Sequence, residues 1–486
     1  MGETELFAVI VLLSALALVA AIAANALGSR ISIPAPALFL VVAAVVSTFF
    51  EDLGRISLII DERIVTVALI LILFDGGMHI GLKRFRSAAG SITWVGVVGT
   101  ALTAAAIALA AHFLLGFSWQ ASLLLGAALS PTDPAVVFAV LGRREVEGRS
   151  GTILEGESGF NDPVGIALLG VLLAAGTGFD AVVGGVGEFL LEMVVGIAVG
   201  LVGGLALSWL QRRVRLPNAA LYPLRSVAFA ALVYGVATLA QGSGYLAVFL
   251  AGILVGDDRG PFQLEVRRFT NGLSSLAEII AFTVLGLSVS LTDVIQPQVL
   301  LPGLAIAALL ILVIRPLLVG VLLLPIRLGW GERGFVLFAG LKGAVPILLG
   351  ILIRDADVPG AQTIASIIFV VVIVSVVLQG GLVPQLARWF KVPMREQEQQ
   401  PFVAGLRFSE DPRDLKSFVV SAGSKADGAT LADLSLGEHG WISLIRRNGA
   451  AVPLRGDTPL EPGDEVLAYA EPDLDAAGLF TEPDRT

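Results

Sequence analysis

The chain contains no cysteine, which excludes disulfides, thiolate nucleophiles and cysteine-ligated metals. Its three histidines are scattered, so a zinc cluster is excluded on the same grounds. Charge is scarce as well: 15% of residues are charged, against about 25% in an ordinary soluble domain. A basic leader is also missing. The chain opens Met1-Gly2-Glu3-Thr4-Glu5 and turns apolar, so the first segment reads as a retained span and not as a cleavable signal peptide.

What the chain has in abundance is apolar sequence, at 56% of residues. Windows of about 20 apolar residues predict thirteen spans. They run from Leu6–Ala26 to Thr363–Leu386, with the third at Ile64–Ile80, the fifth at Ser122–Leu141, the sixth at Thr152–Ala175, the tenth at Leu273–Ser290, the eleventh at Leu300–Leu324 and the twelfth at Gly334–Leu352. With the N-terminus outside, 18 Lys and Arg residues fall in inner loops and three in outer ones. That asymmetry satisfies the positive-inside rule and puts the C-terminus in the cytoplasm of a cell whose inner membrane holds the protein.

Inside this apolar framework a few polar residues stand out. Asp162 lies in Glu157-Ser158-Gly159-Phe160-Asn161-Asp162-Pro163, within the sixth span, where a carboxylate costs roughly 2.5–3.5 kcal/mol and marks an ion or proton pathway. Asp133 lies in Ser130-Pro131-Thr132-Asp133-Pro134, where two prolines remove backbone donors and break the fifth span. A matching interruption, Gly340-Leu341-Lys342-Gly343-Ala344-Val345-Pro346, falls in the twelfth. With the seventh span as a linker, the two breaks occupy equivalent places in two six-span halves, the sequence pointer to inverted repeats with crossed discontinuous helices. Arg315 and Lys342 are the basic residues left inside predicted spans, so they are the partners available to buried acids. Glu157 precedes Asp162 by five residues and faces a somewhat different side of its helix. It is expected to pair with Arg315 or with Lys342, and Asp133 and Lys342 to offset the dipoles of the broken helix ends.

The tail differs from the rest. From Arg395 onward it holds 17 acids and 9 bases, against 24 and 23 before it. The acidity argues against nucleic-acid binding. Strand-like runs at Ser417–Ser421 and Trp441–Arg446, with turn signals at Asn448-Gly449 and Pro462-Gly463-Asp464, predict one small α/β domain. The organisation is thus a transmembrane domain over 1–394, a linker over 395–413 and a cytoplasmic domain over 414–486. The fold class is an all-α polytopic membrane protein plus that small α/β domain.

The run Glu157-Ser158-Gly159-Phe160-Asn161-Asp162 resembles the sixth span of the cation:proton antiporter-1 family. Thr132-Asp133-Pro134, Phe74-Asp75-Gly76-Gly77, Arg315-Pro316 and Gly340-Leu341-Lys342-Gly343 fall at the family's other landmarks in the same order. The tail is similar to a TrkA C-terminal domain at Gly428–Leu434, Ile445–Gly449 and Leu460–Glu465. The combination resembles the family's bacterial potassium/proton branch. The resemblance implies that Asp162 carries the cation or the proton, Asn161 orients it, Ser158 and the Thr132 carbonyl ligate the ion, and Asp133 and Asp75 contribute charge or bound water. Glu157, Arg315 and Lys342 are then structural. Lys342 stands where the family commonly has arginine, so a bidentate geometry does not carry over.

The implied activity is electroneutral exchange of one Na+ or K+ for one proton by alternating access, the two ions competing for Asp162. No cofactor, enzyme activity or resident metal is expected. The expected partners are the bilayer and a second copy of the chain, with a nucleotide or cyclic dinucleotide as the tail's regulatory ligand, held by Arg446-Arg447 or by backbone amides. Two other classes compete. One is a tail-gated cation channel, although no Thr-Val-Gly-Tyr-Gly filter occurs. The other is an intramembrane serine protease at Gly156-Glu157-Ser158-Gly159, which requires a base such as His79 or His112 within reach of Ser158.

Overall fold

The computed structural model describes residues 35–49, 58–141, 144–146, 148–175, 179–258, 260–356, 358–396, 415–434, 440–447, 450–470 and 477–481, with Ala8, Leu12, Ala15 and Val19 as isolated helical positions of the expected first span. The chain divides into two compact units, 1–397 and 398–486.

The first unit is almost wholly helical. In order it contains α1 (Ala35–Phe49), α2 (Leu58–Thr93), α3 (Thr100–Leu115), α4 (Trp119–Leu129), α5 (Ala135–Leu141), β1 (Arg144–Val146), α6 (Arg149–Ala175), α7 (Phe179–Arg213), α8 (Leu221–Leu239), α9 (Gly244–Gly256) and α10 (Gln263–Leu287). The short α11 (Leu291–Val294), then α12 (Pro297–Leu309), α13 (Arg315–Leu322), α14 (Trp330–Phe338), α15 (Ala344–Asp355), α16 (Ala361–Ile373), α17 (Gly380–Trp389) and β2 (Met394–Glu396) complete it. Among the described residues, six helical stretches are long and apolar enough to cross a membrane: Glu62–Leu115, Gly187–Arg213, Leu221–Leu239, Gln263–Leu287, Pro297–Leu322 and Ala361–Trp389. On α7 an apolar row of Leu190, Val194, Ile197, Leu201, Leu205 and Trp209 is exposed. In water such a row would be a liability, whereas lipid tails are as apolar as leucine and solvate it without cost.

Among the described residues, three π-helical turns interrupt the helical runs, at Trp94–Gly99 between α2 and α3, Leu310–Ile314 between α12 and α13, and Val374–Gln379 between α16 and α17. Each inserts one residue into the helical register and so turns the next face to a new direction. The loop expected between the third and fourth spans is reduced to a change of direction at Gly81, whose φ of 67° only glycine adopts without strain. Another difference concerns the linker. Arg395 and Glu396, expected in a polar connector, pair antiparallel with Glu145 and Arg144 in the β1–β2 ladder.

The second unit is a four-stranded antiparallel sheet of β3 (Leu415–Val419), β4 (Gly440–Arg447), β5 (Ala450–Val452) and β6 (Glu465–Ala470), in the order β3-β6-β4-β5, followed by the short α18 (Ala477–Phe480). The expected strands are present with shifted ends, and the turn at Asn448-Gly449 lies outside the described residues. Alternation sets the two faces: Val466, Ala468 and Ile445 point into a core with Leu460 and Phe480, while Trp441 and Tyr469 stack on the other side. Arg447 fixes the base of this sheet. Its Nε and Nη2 each donate to Asp464 at 2.8 Å, and Nη2 also donates to the Pro459 carbonyl. Those bonds hold the Asp464 carboxyl below its ordinary range. An acid with a depressed folded-state pKa stabilises the fold above its unfolded value, near 3.9, and loses that stabilisation as pH falls through the depressed value. Arg447→Ala is therefore expected to accelerate amide exchange in β4 and β6 of the full chain at pH 7 without changing α6. The wild-type sheet should loosen through this pair only at acid pH, not between pH 5 and 8.

Candidate ion site

The site is built where the helices α4 and α14 end. A helix of 11 residues such as α4 reaches about 16 Å, half of the roughly 30 Å of hydrocarbon. The chain leaves helical geometry at 130–134 after α4 and at 339–343 after α14. The two irregular stretches touch: the Asp133 amide donates to the Leu341 carbonyl at 2.8 Å. Each helix end there exposes backbone groups that lipid cannot satisfy, and side chains take up that task. Lys342 Nζ donates to the carbonyls of Ser130 and Pro131 at 3.0 and 2.9 Å, placing a cation at the C-terminus of α4. Gln379 Nε2 donates to the Phe338 carbonyl at 2.7 Å, and its Oε1 accepts from Ser375 Oγ, which itself accepts from the Lys342 amide. Both residues lie in the π turn 374–379, which aims them at the break.

Glycine makes the remaining room. A Cβ on Gly343 would overlap the Asp133 carboxylate, and one on Gly340 would overlap the Arg315 guanidinium. Asp133 thus lies against the residue that caps the N-terminus of α15, where a negative charge offsets the helix dipole. Arg315 follows the π turn 310–314 and serves two elements at once. Its Nη1 and Nη2 clamp Glu157 at 2.8 and 3.1 Å, while Nε and Nη2 donate to the Leu337 and Val336 carbonyls of α14. Of the two bases open to Glu157, arginine is the hydrogen-bonded partner and lysine serves backbone carbonyls.

On α6 the face next to Glu157 carries Ser158, Asn161 and Asp162, all buried. Asn161 Nδ2 donates to Thr132 Oγ1 at 2.7 Å, tying α6 to the broken stretch, and its Oδ1 is buried without a partner among the described residues. Asp162 is within Coulombic reach of Asp133 and Lys342. No described residue donates a hydrogen bond to its carboxylate. Pro163 removes the donor that would otherwise engage the Gly159 carbonyl one turn back. The structure therefore gathers Asp162, Asn161, Ser158, Thr132, Asp133 and Lys342 and locks Glu157 with Arg315.

Asp75 stands apart from that group on α2. Its partners are His79, with Nδ1 at 3.5 Å from Oδ2, together with Asn271, Ser274 and Arg267 of α10. His112 Nδ1 donates to the Phe117 carbonyl at 2.8 Å, and the ring stacks on Trp119. Neither histidine partners Ser158, so the arrangement of a serine nucleophile and its base is absent among the described residues. Sequence reasoning missed Gln379 and Ser375, which no motif announces. It also passed over Glu278, an acid inside the tenth expected span, whose buried position alone could have flagged it.

Removing one partner of a buried ion pair leaves an uncompensated charge and costs about 3–5 kcal/mol. Glu157→Ala and Arg315→Ala are each expected to lower the melting temperature of the purified protein well below that of Asp162→Asn. The reverse order would mean that the fixed and the free acid have been exchanged.

The chain is similar to known proteins over most of its length. The family model for the transmembrane sodium/hydrogen exchanger matches residues 14–389, and the TrkA-C domain model matches 415–477. The K(+)/H(+) antiporter NhaP of Alkalimonas amylolytica is 35% identical over 461 residues, covering 93% of this chain and 79% of that protein. The K(+)/H(+) antiporter NhaP2 of Shewanella oneidensis is 30% identical over 488 residues, covering 98% and 84%. The Na(+)/H(+) antiporter NhaH of Halobacillus dabanensis is 26% identical over 403 residues, covering 78% and 96%. Among solved structures, the sodium proton antiporter MjNhaP1 from Methanocaldococcus jannaschii at pH 8 superposes with a TM-score of 0.65 at 22% identity, covering 79% of this chain and 98% of that one.

Proposed function

The chain belongs to the sodium/hydrogen exchanger family, and from that premise we propose that it exchanges one monovalent cation for one proton across the cell membrane, with Asp162 as the shared carrier. The observation that carries the proposal is the division between two neighbouring buried acids. Glu157 is held in a bidentate clamp by Arg315, whereas no described residue donates to Asp162. A buried carboxylate to which no neighbour donates is available to a small cation, a metal ion or a proton. The hard oxygens that would surround a dehydrated monovalent ion are those of Ser158, the Thr132 carbonyl and the carbonyl freed by Pro163, with Asn161 fixing the geometry and Asp133 supplying field. Asp75 contributes charge at the approach. Because position 161 is an amide and not a second acid, one charge leaves for each that enters and exchange is electroneutral.

The reading extends to the whole molecule. Thirteen spans in inverted repeats would carry crossed discontinuous helices at the breaks after α4 and α14, with the N-terminus outside and the tail in the cytoplasm, and two copies would form the working unit. The tail regulates through a nucleotide or cyclic dinucleotide and lies outside the ion path, since Asp75, Asp133 and Asp162 are all upstream of it. Potassium is the cation to test first. The relatives that match over nearly the whole chain are named for potassium, and the one named for sodium matches over 78% of it.

Proteoliposomes loaded with a pH dye test the proposal. Cation addition should drive proton movement in the wild type at a rate indifferent to an imposed membrane potential, and Asp162→Asn should abolish it while remaining folded. Asn161→Asp should introduce a second titratable group and with it a response to voltage. Full exchange by Asp162→Asn, or a voltage response in the wild type, would contradict the model.

A further inference from the structure

Glu278 lies on α10, within a membrane-spanning helix, and none of the roles above uses it. The residue is partly accessible, but its Oε1 is fully buried and has no hydrogen-bond partner among the described residues. Asp133 is close enough to act on it electrostatically. A carboxylate oxygen that is buried in a membrane helix without a donor is an expensive feature for a structural residue and an ordinary one on an ion path.

Its neighbours on α10 give it a direction. Arg267, Asn271, Ser274 and Glu278 are spaced by four, three and four residues, which places them on one face of a helix with 3.6 residues per turn. The middle of that stripe is occupied by Asp75 of α2: Asn271 Nδ2 lies 3.5 Å from its Oδ2, Ser274 hydrogen-bonds it, and Oδ1 is buried without a partner. At one end Arg267 donates to the Gly256 carbonyl at the close of α9. Beyond Glu278 the same face continues as Ala281, Phe282 and Leu285, all buried and apolar. The polar stripe is therefore open towards Arg267 and sealed past Glu278. Its two orphan carboxylate oxygens, near Asn271 and at Glu278, are separated along the helix by about 10 Å.

We infer that this stripe is the route by which the transported cation reaches the broken helices, and that Glu278 is the carboxylate that holds the arriving ion beside Asp133 before it passes to Asp162. Two carboxylates within reach of one another in apolar surroundings repel, and a monovalent cation between them removes the repulsion. Asp75 meets the ion first, Glu278 stages it, and Asp162 exchanges it. The inference rests on the exchange reading above and adds a binding residue to it.

The test is a cation titration of exchange in proteoliposomes, with K+ and with Na+ as separate series, for the wild type, Glu278→Gln and Glu278→Asp. Glu278→Gln should raise the apparent cation KM by about tenfold or more, equivalent to the loss of one favourable charge interaction, while its maximal rate stays within about twofold of the wild type. Glu278→Asp, which keeps the charge on a shorter stem, should fall between the two. The midpoint of cation-induced thermal stabilisation in detergent should shift in the same order. A KM and a stabilisation midpoint unchanged in Glu278→Gln would overturn the inference, as would a loss of maximal rate and melting temperature with KM unaltered, which is the pattern of a packing residue. If Glu278→Gln does not fold, Glu278→Asp decides by the same two readouts. A wild type that moves no protons with either cation would instead overturn the exchange reading on which this rests.

Discussion

A helix end buried away from water leaves backbone carbonyls and amides that need partners, and the ends of α4 and α14 organise the centre of this protein. Four side chains meet that need. Lys342 covers the carbonyls at the end of α4, Arg315 and Gln379 cover those at the end of α14, and Asp133 faces the N-terminus of α15. The glycines at 340 and 343 are the geometric condition, because a methyl group at either position would occupy the place of a charged head. Two of the π turns serve the same demand, delivering Arg315, Ser375 and Gln379 to the breaks.

Once the fixed charges are engaged in this way, the chemistry left over becomes visible. Glu157 neutralises Arg315, Lys342 is turned to backbone, and Asp133 is turned to a helix end. No described residue donates a hydrogen bond to Asp162. On the proposed reading, a proton and a cation are alternative tenants of one carboxylate, so coupling needs no separate linkage device. β2, the last element of the first unit, pairs with β1, the strand that follows α5.

Much of this was legible in the amino-acid sequence, for identifiable reasons. The intramembrane acids stand out because charge is so rare in the spans, and the breaks stand out because proline and glycine cluster there. Other features depend on distance and were not legible. Both bases donate to backbone carbonyls, and only their placement puts Arg315 and not Lys342 in hydrogen-bond contact with Glu157, which no spacing along the chain records. The π turns carry no local signal, since the extra residue is accommodated by packing around it. Glu278 reads as one charge in an apolar run until Arg267, Asn271 and Ser274 are recognised on its face and Asp75 is placed opposite.

The central claim is that one carboxylate serves both ions, and the most direct measurement is of protons released when the cation binds. Calorimetric titration of the detergent-solubilised full chain with K+ or Na+, repeated in buffers of different ionisation enthalpy, counts those protons. The account predicts about one proton released per cation bound where Asp162 is protonated in the free protein, the linkage required when ligand and proton share a site, and no release from Asp162→Asn. Cation binding to the wild type without proton release, or undiminished release from Asp162→Asn, would contradict it.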